Sequence, residues 1–105
     1  MSLHKSFSAL GDATRLAIVE RLLSEGAQTA GDLSDIAPVS APALSRHLKV
    51  LREAGLVTVR PEAQRRIYTA NPHAFRKIVG WTISHKEFWA SSLDRLETLI
   101  EEENC

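Results

Sequence analysis

Apolar residues recur with a helical rather than a strand period over most of this chain. Leu3, Phe7 and Leu10 share helical spacing and predict a short opening helix. Asp12, after Gly11, is an N-cap type residue; Leu16, Val19 and Leu23 then repeat at i, i+3 and i+7, Ile18 and Leu22 widen the stripe, and Gly26 ends it. Thr29 with Asp32 has the form of a capping box with aspartate in the glutamate place, predicting a short helix through Leu33 and Ile36 that Pro38 stops. Ser40 caps the next helix, Pro42 lies in its first turn where a missing N–H costs nothing, and Gly55 closes it after Ala54. There the period changes. Leu56-Val57-Thr58-Val59 and Ile67-Tyr68-Thr69 are short and β-branched and flank Pro61-Glu62-Ala63-Gln64, which predicts a two-stranded hairpin. Asn71-Pro72 opens a last helical region running to Glu103, with Gly80 as a candidate break. The fold class is mainly α with a small β-hairpin, in a single domain over 1–105: a helix–turn–helix about 29–54, a hairpin about 56–70 and a terminal helix about 72–103.

At roughly 100° per residue, Leu44, Leu48 and Leu51 form a narrow apolar stripe on the helix after Ser40. Pro42, Arg46, Lys49 and Glu53 fall opposite, with Ser45 on the flank. One face anchors the helix; the other offers two cations and a hydroxyl. Such a helix fits a major groove with its small N-terminal residues against base edges, where arginine can bind guanine bidentately and serine or lysine can take phosphate or base contacts. A plain solvated amphipathic helix would show the same split, so its neighbours decide. The Pro38-Val39 connection makes a helix–turn–helix pair, and Arg60, Arg65 and Arg66 surround the hairpin tip, as a wing reaching phosphates or a minor groove requires. On the last helix, Trp81, His85, Phe88, Ser92, Leu96 and Leu99 form a second stripe, which Trp89, Leu93 and Ile100 broaden. Part of it packs on its own core; its width suits a two-fold dimer or a pocket for a small apolar ligand.

Composition alters this picture only when counted by segment. The 105 residues carry 13 Lys+Arg against 13 Asp+Glu, a formal charge of zero that argues against a polyanion binder. Residues 40–70, however, hold Arg46, Lys49, Arg52, Arg60, Arg65 and Arg66 against Glu53 and Glu62, a net +4, while the tail from Asp94 is net −4. The charge is an average over opposed surfaces. No apolar run approaches the roughly 18 residues of a membrane span and no basic-then-apolar leader opens the chain, so the expectation is a cytoplasmic protein without a membrane partner.

The blocks LGDATRLAIVERLL (10–23), SAPALSRHLKVLREAGLV (40–57) and RPEAQRRIYTAN (60–71) resemble the ArsR-type winged-helix transcriptional repressors of bacteria, over about residues 3–100. The resemblance implies a winged helix-turn-helix dimerising through its first and last helices, and a sequence-specific repressor of its own or an adjacent operon, bound as a homodimer to a pseudo-palindromic operator and released by an effector. Carried over by position, its DNA contacts fall on Ser40, Ala41, Pro42, Ser45 and Arg46, beside the Lys49 of the same face, with the wing at Arg65 and Arg66. Ala41 and Pro42 replace polar residues frequent in metal-sensing members. The dimer interface would take Phe7, Trp81, His85, Phe88, Trp89 and Leu96.

Other chemistry finds little support. Residues 29–37 contain no cysteine for a thiolate site, and His73, His85, Glu87, Asp94 and Glu97 converge on no one turn, so neither metal nor cofactor is expected. Ser45 and His47 lie on different faces with no acid to complete a triad, which argues against an enzyme. His47 reads as a packed or phosphate-touching residue and His4 as a terminal one. Cys105, the sole cysteine, stands beside Glu101, Glu102 and Glu103, which disfavour its thiolate. Two alternatives stay open: a metal- or thiol-responsive sensor of the same fold, and a winged-helix module for protein contacts.

Overall fold

The computed structural model describes residues 2–103, which form five helices and a three-stranded antiparallel sheet. In order these are α1 (Leu3–Leu10), α2 (Ala13–Glu25), β1 (Gln28–Thr29), α3 (Ala41–Glu53), β2 (Val57–Glu62), β3 (Arg65–Ala70), α4 (Pro72–Ser84) and α5 (Lys86–Glu103). They fall into two compact units, one up to Phe75 and one from Arg76 onward.

The core of the first unit joins Ile18, Val19 and Leu22 of α2, Leu44, Leu48 and Leu51 of α3, and Leu56, Val57, Ile67 and Tyr68 of the hairpin around Leu33. Helix ends follow local chemistry. The Asp12 carboxylate accepts from Arg15 N at 3.0 Å, the Ser40 hydroxyl accepts from Ala43 N at 3.2 Å, and Gly26 and Gly55 close α2 and α3 with φ of 81° and 80°. At the hairpin's base, Asn71 caps α4 by accepting from His73 N at 3.1 Å and donates from Nδ2 to Gly55 O at 2.8 Å. One residue thus joins the end of α3, the end of β3 and the start of α4.

Several expectations are corrected. The buried face of α2 is Ile18, Val19 and Leu22, whereas Leu16 is 41% and Leu23 56% exposed. The inward positions run 15, 18, 19, 22, a regular helical face that opens on the half-buried Arg15, so a search for apolar residues alone centres the stripe wrongly. The Thr29–Asp32 capping box forms in both directions, Asp32 Oδ2 accepting from Thr29 N at 2.9 Å and Thr29 Oγ1 accepting from Asp32 N at 3.1 Å. It opens no α-helix: residues 30–38 are successive turns, with Ser34 N donating to Gly31 O and Ile36 N to Leu33 O. Gly31, Asp32, Ser34 and Asp35 are weak helix formers, and Pro38 follows closely. The helix–turn–helix span of 29–54 therefore contains one regular helix, α3.

The hairpin is part of a larger sheet of order β1-β3-β2, with Gln28 opposite Tyr68 and Thr29 opposite Ile67. Two residues are too few for a strand period to show. The strands also reach further than predicted, pairing Pro61 with Arg66 and Glu62 with Arg65, which leaves Ala63 and Gln64 as the turn. The terminal helix of 72–103 is two helices. It runs through Gly80 and is interrupted at His85. There the hydroxyls of Thr82 and Ser84 donate to the Ile78 and Gly80 carbonyls at 3.0 and 2.8 Å, and His85 Nδ1 lies 2.8 Å from Trp81 O, so side chains compete for the acceptors of the last turn.

In the second unit, Trp81 stacks on His85 at 4.9 Å between ring centroids, and Phe88 meets Trp89 edge-on at 5.4 Å. Phe88, Leu93, Leu96, Leu99 and Ile100 are exposed, and none of the described residues of α5 is buried. No helix of the described residues is long and apolar enough to cross a membrane.

Candidate nucleic-acid interface

Leu44, Leu48 and Leu51 fix the rotation of α3 by turning inward, and that places Ser45, Arg46 and Lys49 in solvent. Ala41 and Pro42, in the first turn, are exposed as well. Ser40 has a structural duty as the N-cap, and its exposed hydroxyl retains a proton to donate. At the hairpin, Arg65 and Arg66 open β3 and are exposed. An open groove runs between α3, the turns after β1 and the wing; Ser45, Gly31, Gln64, Arg65, Arg66 and Tyr68 line it. The fold thus brings Ser45 and the two wing arginines to one depression, from residues 20 or more positions apart in the chain.

The cations differ in their company. Lys49 lies 4.0 Å from Glu53 and Arg60 3.8 Å from Glu62, both exposed pairs that water and salt screen. Arg46 and Arg66 form no ion pair among the described residues. The Thr29 backbone N–H, and after it the Thr29 hydroxyl, hold the Asp32 carboxyl below its ordinary value, with a smaller contribution from the nearby charge of Arg65. Arg21 secures the turns from the other side, donating from Nη1 to Asp32 O at 3.1 Å and to Asp35 Oδ1 at 3.2 Å. The segment leading into α3 is pinned by hydrogen bonds where a helix was expected.

Pattern reading missed one polar cluster. Arg15 donates from Nε to Ala9 O at 2.7 Å, filling a carbonyl of the last turn of α1, and its Nη1 lies 3.4 Å from His47 Nδ1 on α3. Asp12 Oδ2 is 3.8 Å from the same nitrogen. The Arg15 N–H bond lowers the Asp12 pKa most, with the charges of Arg15 and His47 adding to it. A polar residue opening the inward face of α2 was the available signal.

The residues expected at a dimer interface are placed as follows. Phe7 of α1 is exposed; Phe88, Trp89 and Leu96 of α5 are exposed; Trp81 and His85 are half-buried in their own aromatic cluster. Among the described residues, no three His, Asp or Glu gather as metal ligands. Cys105 lies outside the described residues.

A helix-turn-helix domain family matches residues 10–60. The HTH-type transcriptional regulator Rv2034 of Mycobacterium tuberculosis is 40% identical over 99 residues, covering 94% of this chain and 89% of that one. The arsenical resistance operon repressor of Escherichia coli is 32% identical over 103 residues, covering 94% of this chain and 85% of its own length. Among solved structures, an ArsR-like transcriptional regulator from Rhodococcus sp. RHA1 superposes with a TM-score of 0.71 at 28% identity, over 92% of this chain and 91% of the other.

Proposed function

This chain belongs to the ArsR family of helix-turn-helix transcriptional regulators, and from that premise we propose that it works as a cytoplasmic homodimer that represses its own or an adjacent operon from a pseudo-palindromic operator. The family and fold are those of DNA-binding transcriptional regulators and not of enzymes. In this reading, α3 enters the major groove with Ser40, Ala41 and Pro42 leading and with Ser45, Arg46 and Lys49 along its outer face. Arg65 and Arg66 follow the phosphate backbone beside it. The observation that carries the assignment is the groove shared by Ser45 and the wing arginines, with the exposed Arg46 next to Ser45 in the chain. Base readout falls to Arg46 and Ser45; Ala41 and Pro42 have no side-chain donor and contribute shape and van der Waals contact.

Two copies would meet through exposed apolar residues: Phe7 on α1, and Phe88, Trp89 and Leu96 with the half-buried Trp81 and His85 in the second unit. A two-fold axis through such an interface presents two copies of α3 about 34 Å apart, one turn of duplex. The test is electrophoretic retardation of the DNA upstream of the chain's own gene. Arg46→Ala combined with Arg65→Ala should abolish the shift at protein concentrations that saturate the wild type. Unchanged retardation would remove α3 and the wing from the interface.

A further inference from the structure

The imidazole of His47 has one nitrogen engaged and one open. Nδ1 faces the Arg15 guanidinium at 3.4 Å, and an arginine can only donate, so Nδ1 must be the acceptor and the ring proton must sit on Nε2. Asp12 Oδ2, at 3.8 Å, is beyond hydrogen-bond reach and already accepts from Arg15 N. Nε2 has no protein partner among the described residues, and no buried side-chain nitrogen or oxygen among them lacks one, so Nε2 is in solvent. The side chain as a whole is 21% exposed, held by its body with its far edge free. Its neighbours on α3 do not seal it in, since Arg46 and Val50 are both exposed.

We propose that His47 is a further DNA-contacting residue, whose Nε2–H donates to a backbone phosphate oxygen, and that Arg15 is the positioning residue that fixes this tautomer. The inference rests on α3 being the helix that faces DNA. A helix lying in a major groove has phosphates along both flanks, and His47 stands on the flank toward the start of α2. Arg15 connects three elements, taking Ala9 O of α1, its own place on α2 and His47 of α3. The donor is therefore set by the fold before DNA arrives. At about pH 8, where an ordinary imidazole is uncharged, the contact brings a proton but no charge and adds affinity without releasing a counterion.

The test has two arms, both at about pH 8, above the ordinary imidazole range. Long-range proton–nitrogen correlation on the free wild-type protein should show His47 with its proton on Nε2, and Arg15→Gln should shift the tautomer balance. A proton on Nδ1 in the wild type overturns the proposal without any variant having to fold. In the second arm, binding to a short random-sequence duplex is followed across a salt series. His47→Phe should weaken binding about tenfold, the value of a hydrogen bond to a charged group, and leave the salt slope unaltered. His47→Gln, which restores an amide donor near the Nε2 position, should recover most of the loss. Arg46→Ala should lower both affinity and slope. If Arg46→Ala weakens binding and His47→Phe does not, the His47 contact alone is refuted; if neither does, the placement of α3 on DNA falls and this inference with it.

Discussion

Ala63 adopts φ 55°, a left-handed backbone held by no other non-glycine among the described residues. It stands in the two-residue turn of the wing, where a Cβ crowds the adjacent carbonyl and glycine does not. Ala63→Gly should stabilise the protein by about 0.5–1 kcal/mol, the steric relief exceeding the added freedom of the unfolded chain. Urea unfolding would show it, and a loss of stability would mean the turn is strained elsewhere. Asp12 makes a prediction about acid. Its folded pKa lies below the ordinary 3.8 because the carboxylate accepts from the Arg15 N–H. The ionised cap therefore stabilises the fold above that value, and the contribution disappears as pH falls through the lower folded pKa. Asp12→Asn keeps a cap acceptor that does not titrate. The wild type should be more stable than this variant at neutral pH, with the gap closing below about pH 4. A gap that persists in strong acid would assign the difference to shape, not charge.

Among the elements, α2 separates two kinds of legibility. Its ends follow from Asp12 and Gly26, whose chemistry acts within one turn and can be read residue by residue. Its orientation is decided by what packs against it, so Leu16 and Ile18, nearly alike in hydrophobicity, have opposite fates. Ile18→Ala should cost about 2–5 kcal/mol through the cavity it leaves, and Leu16→Ala less than about 1 kcal/mol. Equal costs in thermal unfolding would return Leu16 to the core. The same division applies elsewhere. The capping box at Thr29 and Asp32 forms as its residues dictate, while the helix it should open does not, because Gly31, Ser34 and Asp35 favour turns and Pro38 follows closely. The interruption at His85 depends on side chains capturing carbonyls a turn behind, and Gly80, the residue a propensity scale singles out, stays helical.

For the whole molecule, the distribution of charge was readable by counting along the chain and the exposed face of α3 from helical spacing, since the buried leucines alone fix which side faces out. The bridge from Arg15 to His47 was not, because it joins residues 32 positions apart and depends on how two helices meet. If Arg46, Lys49, Arg65 and Arg66 neutralise phosphates, the logarithm of affinity for the upstream DNA should fall by about 0.9 per contact for each tenfold rise in salt. A flat dependence in fluorescence anisotropy would deny the wing its role. Association has its own test. Trp89, 45% exposed in α5, belongs to the proposed two-fold surface. Trp89→Asp should give monomers in sedimentation at concentrations where the wild type is a dimer, and a persisting tight dimer would move the interface elsewhere. The sheet bears on which associations do not occur. Its order leaves β1 and β2 at the edges; one is two residues long, and the other carries Pro61, which lacks a donor, between the charged Arg60 and Glu62. Neither edge offers the long run of free backbone donors that strand addition needs, which disfavours fusion of copies wing to wing.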